Sequence, residues 1–392
     1  MEAMKQLSKC IEQRHTELEK MKNRGAKVVG ILGFGYTPEE MIFAAGAIPQ
    51  RLIRGGDRES LDDSREYCHN CFSTFHKAQI GYLMKGKDPV YNLIDHLVLE
   101  SGDEHSELTG MYVYAYKPMP MTWLGIPGNP EYSGAFPYYL SSLEKLKKEI
   151  EKLTGNQVSQ QKLEEYTTLY NGIRDLLGRI SDLRKAPSPP ISGLDYVKLN
   201  HASFYCDPHE YLALLKQVYE DLKLRTGVYT KDTPRIAVFG CPIAVGDYRL
   251  LELIEDAGAA VVTEEITGST RDCKTMTSID GNLMENLARR YYSKKSKDVY
   301  KYPWGKELLS VYSGLVDDFK VDGVIWYQLM YMEAQSMLGY VVNKRLKQRG
   351  IPAMTIQSEY DFTSRIEAVK TRIETFIEVV KQSKSKKGDR NG

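Results

Sequence analysis

The chain has 392 residues, of which 42% are hydrophobic and 27% are charged. Lys and Arg number 53 against 52 Asp and Glu, so the net charge of +1 favours neither nucleic acid nor an acidic lipid surface as a partner. No run of about 18 uncharged apolar residues occurs, which argues against a membrane span. The amino terminus is dense in Glu and Lys and does not have the pattern of a secretory signal. The sequence therefore indicates a cytoplasmic protein.

The first 50 residues predict a helix followed by a strand–loop–helix–strand unit. Residues 1–24 carry apolar side chains at helical intervals, and a strand is expected over residues 27–33. Thr37 precedes Pro38 and stands three residues before Glu40, the spacing of a capping box, so we expect Thr37 to cap a helix that begins at Pro38. The loop lacks the third glycine of a dinucleotide fingerprint, and no such cofactor is expected.

A Cys-x2-Cys pair, Cys68 and Cys71, stands before the next helical pattern. This spacing can place two thiolates on one metal ion or cluster iron. The second pair of a zinc site is absent, and no strand precedes the motif as a thioredoxin-type site requires. A strand over residues 95–99 follows, and residues 112–126 are expected to form another strand with a Pro-rich crossover.

The middle of the chain is strongly helical. Residues 136–183 predict two helices separated at Gly155, and Ser159 is expected to cap the second helix. The Pro-rich stretch 186–190 marks a rigid connector and a domain boundary. A further helix is expected from Pro208 to Arg225.

The second half repeats strand-then-helix four times. Strands are expected over residues 235–239, 258–262, 321–327 and 352–356, and a helix over 363–380 closes the series. This alternation predicts a parallel, doubly wound sheet whose strands exit at Cys241, Cys273, Met330 and Glu359. Ligands collect at the carboxyl ends of such strands, so Cys241 is either a site residue or a buried core thiol. Six cysteines are too few for a disulfide framework in a chain of this length.

Several segments, taken in order along nearly the whole chain, resemble the 2-hydroxyacyl-CoA dehydratase and benzoyl-CoA reductase family. These segments are residues 35–46, 240–243, 267–271, 321–325, 350–352 and 370–376. The Gly240-Cys241-Pro242 turn is most similar to the branch with double-cubane cluster proteins. The resemblance implies an α/β fold of two Rossmann-like domains with parallel sheets flanked by helices. We expect a helix over 1–24, a first domain over 25–190 with its helical segment 136–183, a connector helix over 191–230, and a second domain over 231–392.

The resemblance also implies a function. Members of the family hold an iron-sulfur cluster, either [4Fe-4S] or double-cubane, and receive a low-potential electron from a separate ATP-hydrolysing iron-sulfur activator. They pair with a homologous subunit, as a hetero- or homodimer, and act on an acyl-CoA thioester or a related small molecule. By the same analogy Thr37 and Glu359 are the candidate catalytic residues, Thr37 near the substrate carbonyl or an open iron.

The cysteine set departs from the family pattern. Cys71 stands where the first cluster ligand is expected, but Gly102 and Met330 stand at the second and third positions. Ile266 replaces a further cysteine of the double-cubane branch, while Cys241 matches that branch and Cys273 lies near another of its cysteines.

Three interpretations follow from this departure. Cys68, Cys71, Cys241 and Cys273, with or without Cys206, hold an altered cluster in a reductase or dehydratase subunit. Alternatively, the chain is a cluster-free scaffold that binds a thioester or a cluster-bearing partner. In the third, the Cys-x2-Cys pair binds zinc structurally.

Overall fold

The computed structural model describes residues 1–268, 270–294, 299, 301, 305–360 and 365–391. In chain order the first half contains α1 (Glu2–Lys22), β1 (Lys27–Leu32), α2 (Glu39–Ala44), β2 (Ala47–Arg51), α3 (Arg58–Ser64), α4 (Thr74–Lys85), a 3-10 turn (Tyr91–Leu93), β3 (His96–Ser101), α5 (Glu104–Tyr116), β4 (Met121–Gly125), α6 (Ala135–Thr154), α7 (Gln160–Leu183), α8 (Gly193–Ala202) and α9 (Pro208–Leu224). The second half contains β5 (Arg235–Gly240), α10 (Arg249–Asp256), β6 (Ala260–Ile266), α11 (Leu283–Ala288), a π-helical turn (Arg289–Ser293), α12 (Gly305–Asp318), β7 (Gly323–Leu329), α13 (Glu333–Gln348), β8 (Ala353–Ser358) and α14 (Ile366–Asn391).

The eight strands form two four-stranded sheets with the same topology. The first sheet has the order β2-β1-β3-β4 and the second has the order β6-β5-β7-β8. Every pairing within them is parallel. Helices flank both sheets, so the predicted α/β class with two Rossmann-like units is confirmed. In each sheet the order places the first and third strands at the centre, where ligands of open α/β sheets bind near the strand ends.

Local sequence explains most of these elements. The central strands β5 and β7 are buried at every position, as expected for parallel strands covered on both faces. The break between α6 and α7 falls at Gly155, which adopts the left-handed conformation that ends helices. The Ser159 side chain accepts a hydrogen bond from the Lys162 N–H, which confirms the predicted cap.

One hydrophobic core spans the two sheets. It includes Val28 and Leu97 from the first sheet and Ile236, Ile325 and Ile356 from the second. A second cluster packs α1, α7, α8 and α9 together. The sheets also meet through the backbone after β2, where the Val245 N–H donates to the Ile53 carbonyl at 2.8 Å. These contacts bring the carboxyl ends of both sheets to one central region.

The structure corrects several sequence expectations. Residues 112–116 belong to helix α5, and the following strand covers only Met121–Gly125. The strand expected at 258–262 runs to Ile266, so Ile266 is a buried strand residue. Helices α3 and α12 have no counterpart among the sequence expectations, and the connector expected as one helix over 191–230 contains two helices, α8 and α9. The final helix begins at Ile366, and residues 363 and 364 of its predicted start lie outside the described residues.

Among the described residues, no helix combines the length and the apolar character needed to cross a bilayer. The domain limits near residues 24, 190 and 230 stay a prediction.

Candidate functional site

The loop between β1 and α2 is organised around the carboxylate of Glu100. This side chain, from β3, accepts hydrogen bonds at 2.8 Å from the backbone N–H groups of Gly35, Tyr36 and Thr37. Glu100 is only 2% exposed. Because these N–H groups are already satisfied, the loop offers no free anion site at this point. The expectation that Thr37 caps α2 is wrong: Pro38 is the N-cap, and no side chain caps this helix.

The Thr37 side chain instead lines a cavity between the two sheets, which we call the central cavity. It has a volume of about 660 Å³, and the lining residues used below are Thr37, Arg51, Asn200, Arg271, Cys273 and Gln335. Five buried polar atoms on this lining have no hydrogen-bond partner among the described residues: Thr37 Oγ1, Arg51 Nε, Asn200 Nδ2, Gln335 Oε1 and Asp272 Oδ2. The side chains of Thr37, Arg51, Asn200 and Gln335 are at most 4% exposed, whereas that of Asp272 is 13% exposed and lies 3.9 Å from Arg290. Such atoms carry a desolvation cost that a polar ligand would relieve.

The charged groups around the central cavity are largely neutralised within the protein. Arg271 forms an ion pair with Glu39 at 2.7 Å, and Arg174 forms a buried ion pair with Glu40. Arg51 is less completely paired, because its Nη1 lies 4.0 Å from Glu100 and its Nη2 donates at 3.2 Å to backbone carbonyls. The lining also carries Asp272 and Lys274, so the cavity offers neutral hydrogen-bonding groups beside charged groups of both signs.

The four predicted cysteine ligands lie in different surroundings. Cys68 packs with Phe72 and Ile80, and its Sγ donates to the Ser64 carbonyl at 3.4 Å. Cys71 is exposed. Cys241 is fully buried in the core shared by the sheets. Cys273 packs on the helical cluster of α1 and α7–α9 and also lines the central cavity.

The electrostatics of Cys68, Cys241 and Cys273 favour the protonated thiol. Burial raises the pKa of Cys241 and of Cys273 to about 12, and burial also raises the pKa of Cys68. Iron-sulfur clusters bind thiolates. Among the described residues these thiols form no clear cluster site. Their assignment as ligands stays a prediction.

The structure does bring together the ends of β7 and β8 and the segment around Cys71. The Met330 carbonyl accepts hydrogen bonds from the Thr74 N–H and hydroxyl, each at 3.2 Å. The next residue, Tyr331, places its hydroxyl in contact with the Cys71 thiol. Glu359 is exposed in the same region, where its carboxylate opposes the lowering of the Lys77 pKa that burial causes. Glu359 is not among the described residues that line the central cavity with Thr37.

Sequence reasoning missed Arg51, Asn200 and Gln335. The one available signal was Arg51, a charged residue within a run that reads as a buried strand. A charge in such a position requires a partner or a ligand. Asn200 and Gln335 lie on helices α8 and α13 and carry no motif that distinguishes them from ordinary helix residues.

Comparison with known proteins places this architecture in a family. The profile described as 2-hydroxyglutaryl-CoA dehydratase, D-component matches residues 34–380. YjiM of Escherichia coli (strain K12) is 24% identical over 372 residues, covering 92% of this chain and 93% of the relative. The (R)-phenyllactyl-CoA dehydratase beta subunit of Clostridium sporogenes is 20% identical, covering 93% of this chain and 94% of the relative. A benzoyl-CoA reductase subunit of Thauera aromatica is 22% identical, covering 68% of this chain and 68% of the relative. This chain belongs to the 2-hydroxyglutaryl-CoA dehydratase, D-component family.

Proposed function

We propose that this chain is the substrate-binding subunit of an acyl-CoA dehydratase or reductase complex and that it binds the thioester end of its substrate in the central cavity. The observation that carries this proposal is the set of four unpartnered polar atoms on cavity-lining side chains that are at most 4% exposed. The proposal takes the cluster-free alternative of the sequence analysis, because the thiols of Cys68, Cys241 and Cys273 lie in three separate hydrophobic clusters.

The unpartnered atoms match the acyl end of a 2-hydroxyacyl thioester. Thr37, Arg51 and Asn200 supply hydrogen-bond donors, which suit the thioester carbonyl and the 2-hydroxyl oxygen. Gln335 Oε1 supplies an acceptor, which suits the 2-hydroxyl proton. A volume of about 660 Å³ lies within the range of ordinary small-molecule sites, roughly 300–1,000 Å³. In this role Thr37 binds the carbonyl oxygen and polarises it.

The same proposal assigns partners. A homologous subunit would carry the cluster, and an ATP-hydrolysing iron-sulfur activator would reduce that cluster. Support comes from the relatives, since both the phenyllactyl-CoA dehydratase and the benzoyl-CoA reductase chains are named as subunits. Glu359, which faces the region around Cys71 and Lys77, is proposed to act at the face toward that subunit rather than in the central cavity.

Ligand binding tests the role of Thr37. Replacing Thr37 with valine keeps the shape and removes a hydroxyl that has no partner among the described residues, so the free protein should keep or gain stability. The affinity for a 2-hydroxyacyl-CoA should fall about tenfold, because the ligand carbonyl loses its donor. Isothermal titration with 2-hydroxyacyl-CoA, acetyl-CoA and free CoA measures this loss.

Thr277→Val is the matched control for this experiment. Thr277 is 3% exposed, and its hydroxyl is also unpartnered among the described residues, but it does not line the central cavity. Equal weakening in both variants, or unchanged affinity in Thr37→Val, would remove Thr37 from the site.

Iron analysis separates the two main alternatives. We expect anaerobically purified protein to contain far less than one iron and one sulfide per chain, because the thiols of the described residues form no clear cluster site. Stoichiometric iron that is lost in Cys71→Ala and in Cys241→Ala, but retained in Cys10→Ala, would instead establish a cluster on this chain.

A further inference from the structure

The first residues of two helices, one from each half of the chain, bring three potential metal ligands together. Glu104 and His105 begin α5 directly after β3, and Glu333 is the first residue of α13 directly after β7. One ligand atom from each side chain lies within 4.8 Å of the others. The His105 Nε2 lies 3.8 Å from Glu104 Oε1 and 3.9 Å from Glu333 Oε2.

The imidazole of His105 is held in place but its polar atoms are not satisfied. Its side chain is 13% exposed, and neither ring nitrogen has a hydrogen-bond partner among the described residues. The ring packs edge-on against Phe72, with centroids 4.8 Å apart, and lies 5.7 Å from the ring of His76. Both acids stand beyond hydrogen-bond distance of Nε2 but close enough to share an ion with it.

We propose that His105, Glu104 and Glu333 bind one divalent transition-metal ion of the Zn²⁺ class. Imidazole and carboxylate are ligands that such ions prefer, with metal–ligand bonds of about 2.0–2.2 Å. Ligand atoms in a tetrahedral site then lie roughly 3.3 Å apart, so each acid must approach Nε2 by about half an ångström. The two carboxylates, which lie within 4.8 Å of each other, must close to the same spacing. Glu104 and Glu333 can move this far because their side chains are 78% and 67% exposed. Three protein ligands leave one position for water.

This site is distinct from the central cavity and from the cysteine pair. His105 and Glu333 follow Gly102 and Met330 by three residues each, so the ion would connect the ends of β3 and β7. An acidic residue in the first turn of a helix stabilises the helix through its dipole even without a metal, which explains why both positions carry glutamate. It does not account for the unpartnered Nε2 of His105, to which the ion would give a partner.

Metal titration of the full chain tests the proposal. Chelator-treated protein is titrated with Zn²⁺ and with Co²⁺, followed by calorimetry and by absorption. We expect one ion per chain, visible Co²⁺ bands without the near-ultraviolet thiolate band, and a raised Tm. Glu333→Gln and His105→Gln should each weaken binding at least tenfold and lose the metal-dependent rise in Tm.

Two variants control this measurement. Glu107→Gln removes the same charge from the exposed face of α5, one turn beyond Glu104, and should bind as the wild type does. Cys71→Ser should also bind normally, since the cysteine pair is not part of the site. Glu333 is exposed, so its variant is expected to fold. No uptake by the wild type, equal affinity in Glu333→Gln, or a thiolate band that Cys71→Ser abolishes would each overturn the proposal.

Discussion

Replacing Glu40 with glutamine is expected to destabilise the folded chain by about 3–5 kcal/mol, because it leaves the guanidinium of Arg174 buried without a counter-charge. Glu40 is fully buried and Arg174 is 1% exposed. The Glu40 carboxylate accepts hydrogen bonds from Arg174 and, at 2.7 Å, from the Tyr291 hydroxyl. This cluster ties α2 to α7 and to the π-helical turn, so its loss should also loosen the loop that carries Thr37. Urea denaturation midpoints measure the effect.

The double variant Glu40→Leu with Arg174→Met is the control. Exchanging both members of a buried ion pair for apolar residues of similar size is often close to neutral, whereas removing one member is not. We therefore expect the double variant to recover most of the lost stability. If the single and double variants are equally unstable, packing volume rather than charge pairing accounts for the loss.

The contribution of the Glu40 carboxylate to folding stability should also depend on pH. Burial alone would raise its pKa, but Arg174, Arg290 and the Tyr291 hydroxyl outweigh burial and hold the pKa below the ordinary 4.5. A carboxyl whose pKa is lowered by folding contributes stability above its unfolded pKa and loses it as the pH falls through the folded pKa. The stability difference between wild type and Glu40→Gln should therefore be constant near neutral pH and shrink below about pH 4.5. A difference that does not change with pH would contradict the ionised state of Glu40.

The fold was predictable because its signals are local. The apolar runs of β1, β5 and β7 and the turns that follow them are readable from a few neighbouring residues. The wrong prediction of a strand at residues 112–116 also results from relying on local sequence. Tyr112, Tyr114 and Tyr116 alternate as in a strand, yet they belong to α5, where Tyr114 is 70% exposed. Tertiary packing of α5 outweighs the local preference of its residues for a strand.

The candidate site was less predictable because its contacts are distant in sequence. Cysteines are candidate ligands because of their chemistry. Whether their thiols come close enough to share one cluster depends on how distant parts of the chain pack together. The carboxylate that shapes the Thr37 loop comes from Glu100, 63 residues further along the chain. Nothing around Glu100 in the sequence marks it as a loop cap, since a glutamate near a strand end is usually solvated. The unpartnered groups of Asn200 and Gln335 are likewise properties of the assembled cavity alone.

Replacing Glu100 with alanine is expected to cost about 4 kcal/mol of folding stability and to abolish ligand binding in the central cavity. Three backbone N–H groups at Gly35, Tyr36 and Thr37 would lose their acceptor, at roughly 1–3 kcal/mol each before relaxation. Glu100→Gln should cost about half as much stability. The amide oxygen can still accept hydrogen bonds from two of the N–H groups, whereas the amide NH₂ is a donor and cannot accept from the third.

Glu151→Gln is the matched control for the Glu100 variants. Glu151 is also a buried carboxylate, 8% exposed, and it accepts a hydrogen bond from the backbone N–H of Val158 in a loop. Unlike the Glu100 loop, it lies away from the central cavity. Thermal unfolding and acyl-CoA titration should show that Glu151→Gln loses some stability and no affinity, whereas Glu100→Gln loses both. The close approach at Gly33 supports this role for Glu100, because an added Cβ there would lie 2.3 Å from the Glu100 Cβ. The strand, the loop and the carboxylate therefore fit as one unit, and the Thr37 hydroxyl keeps its place on the cavity wall only while that unit is intact. Retained affinity in Glu100→Ala would show that the ligand does not depend on this loop.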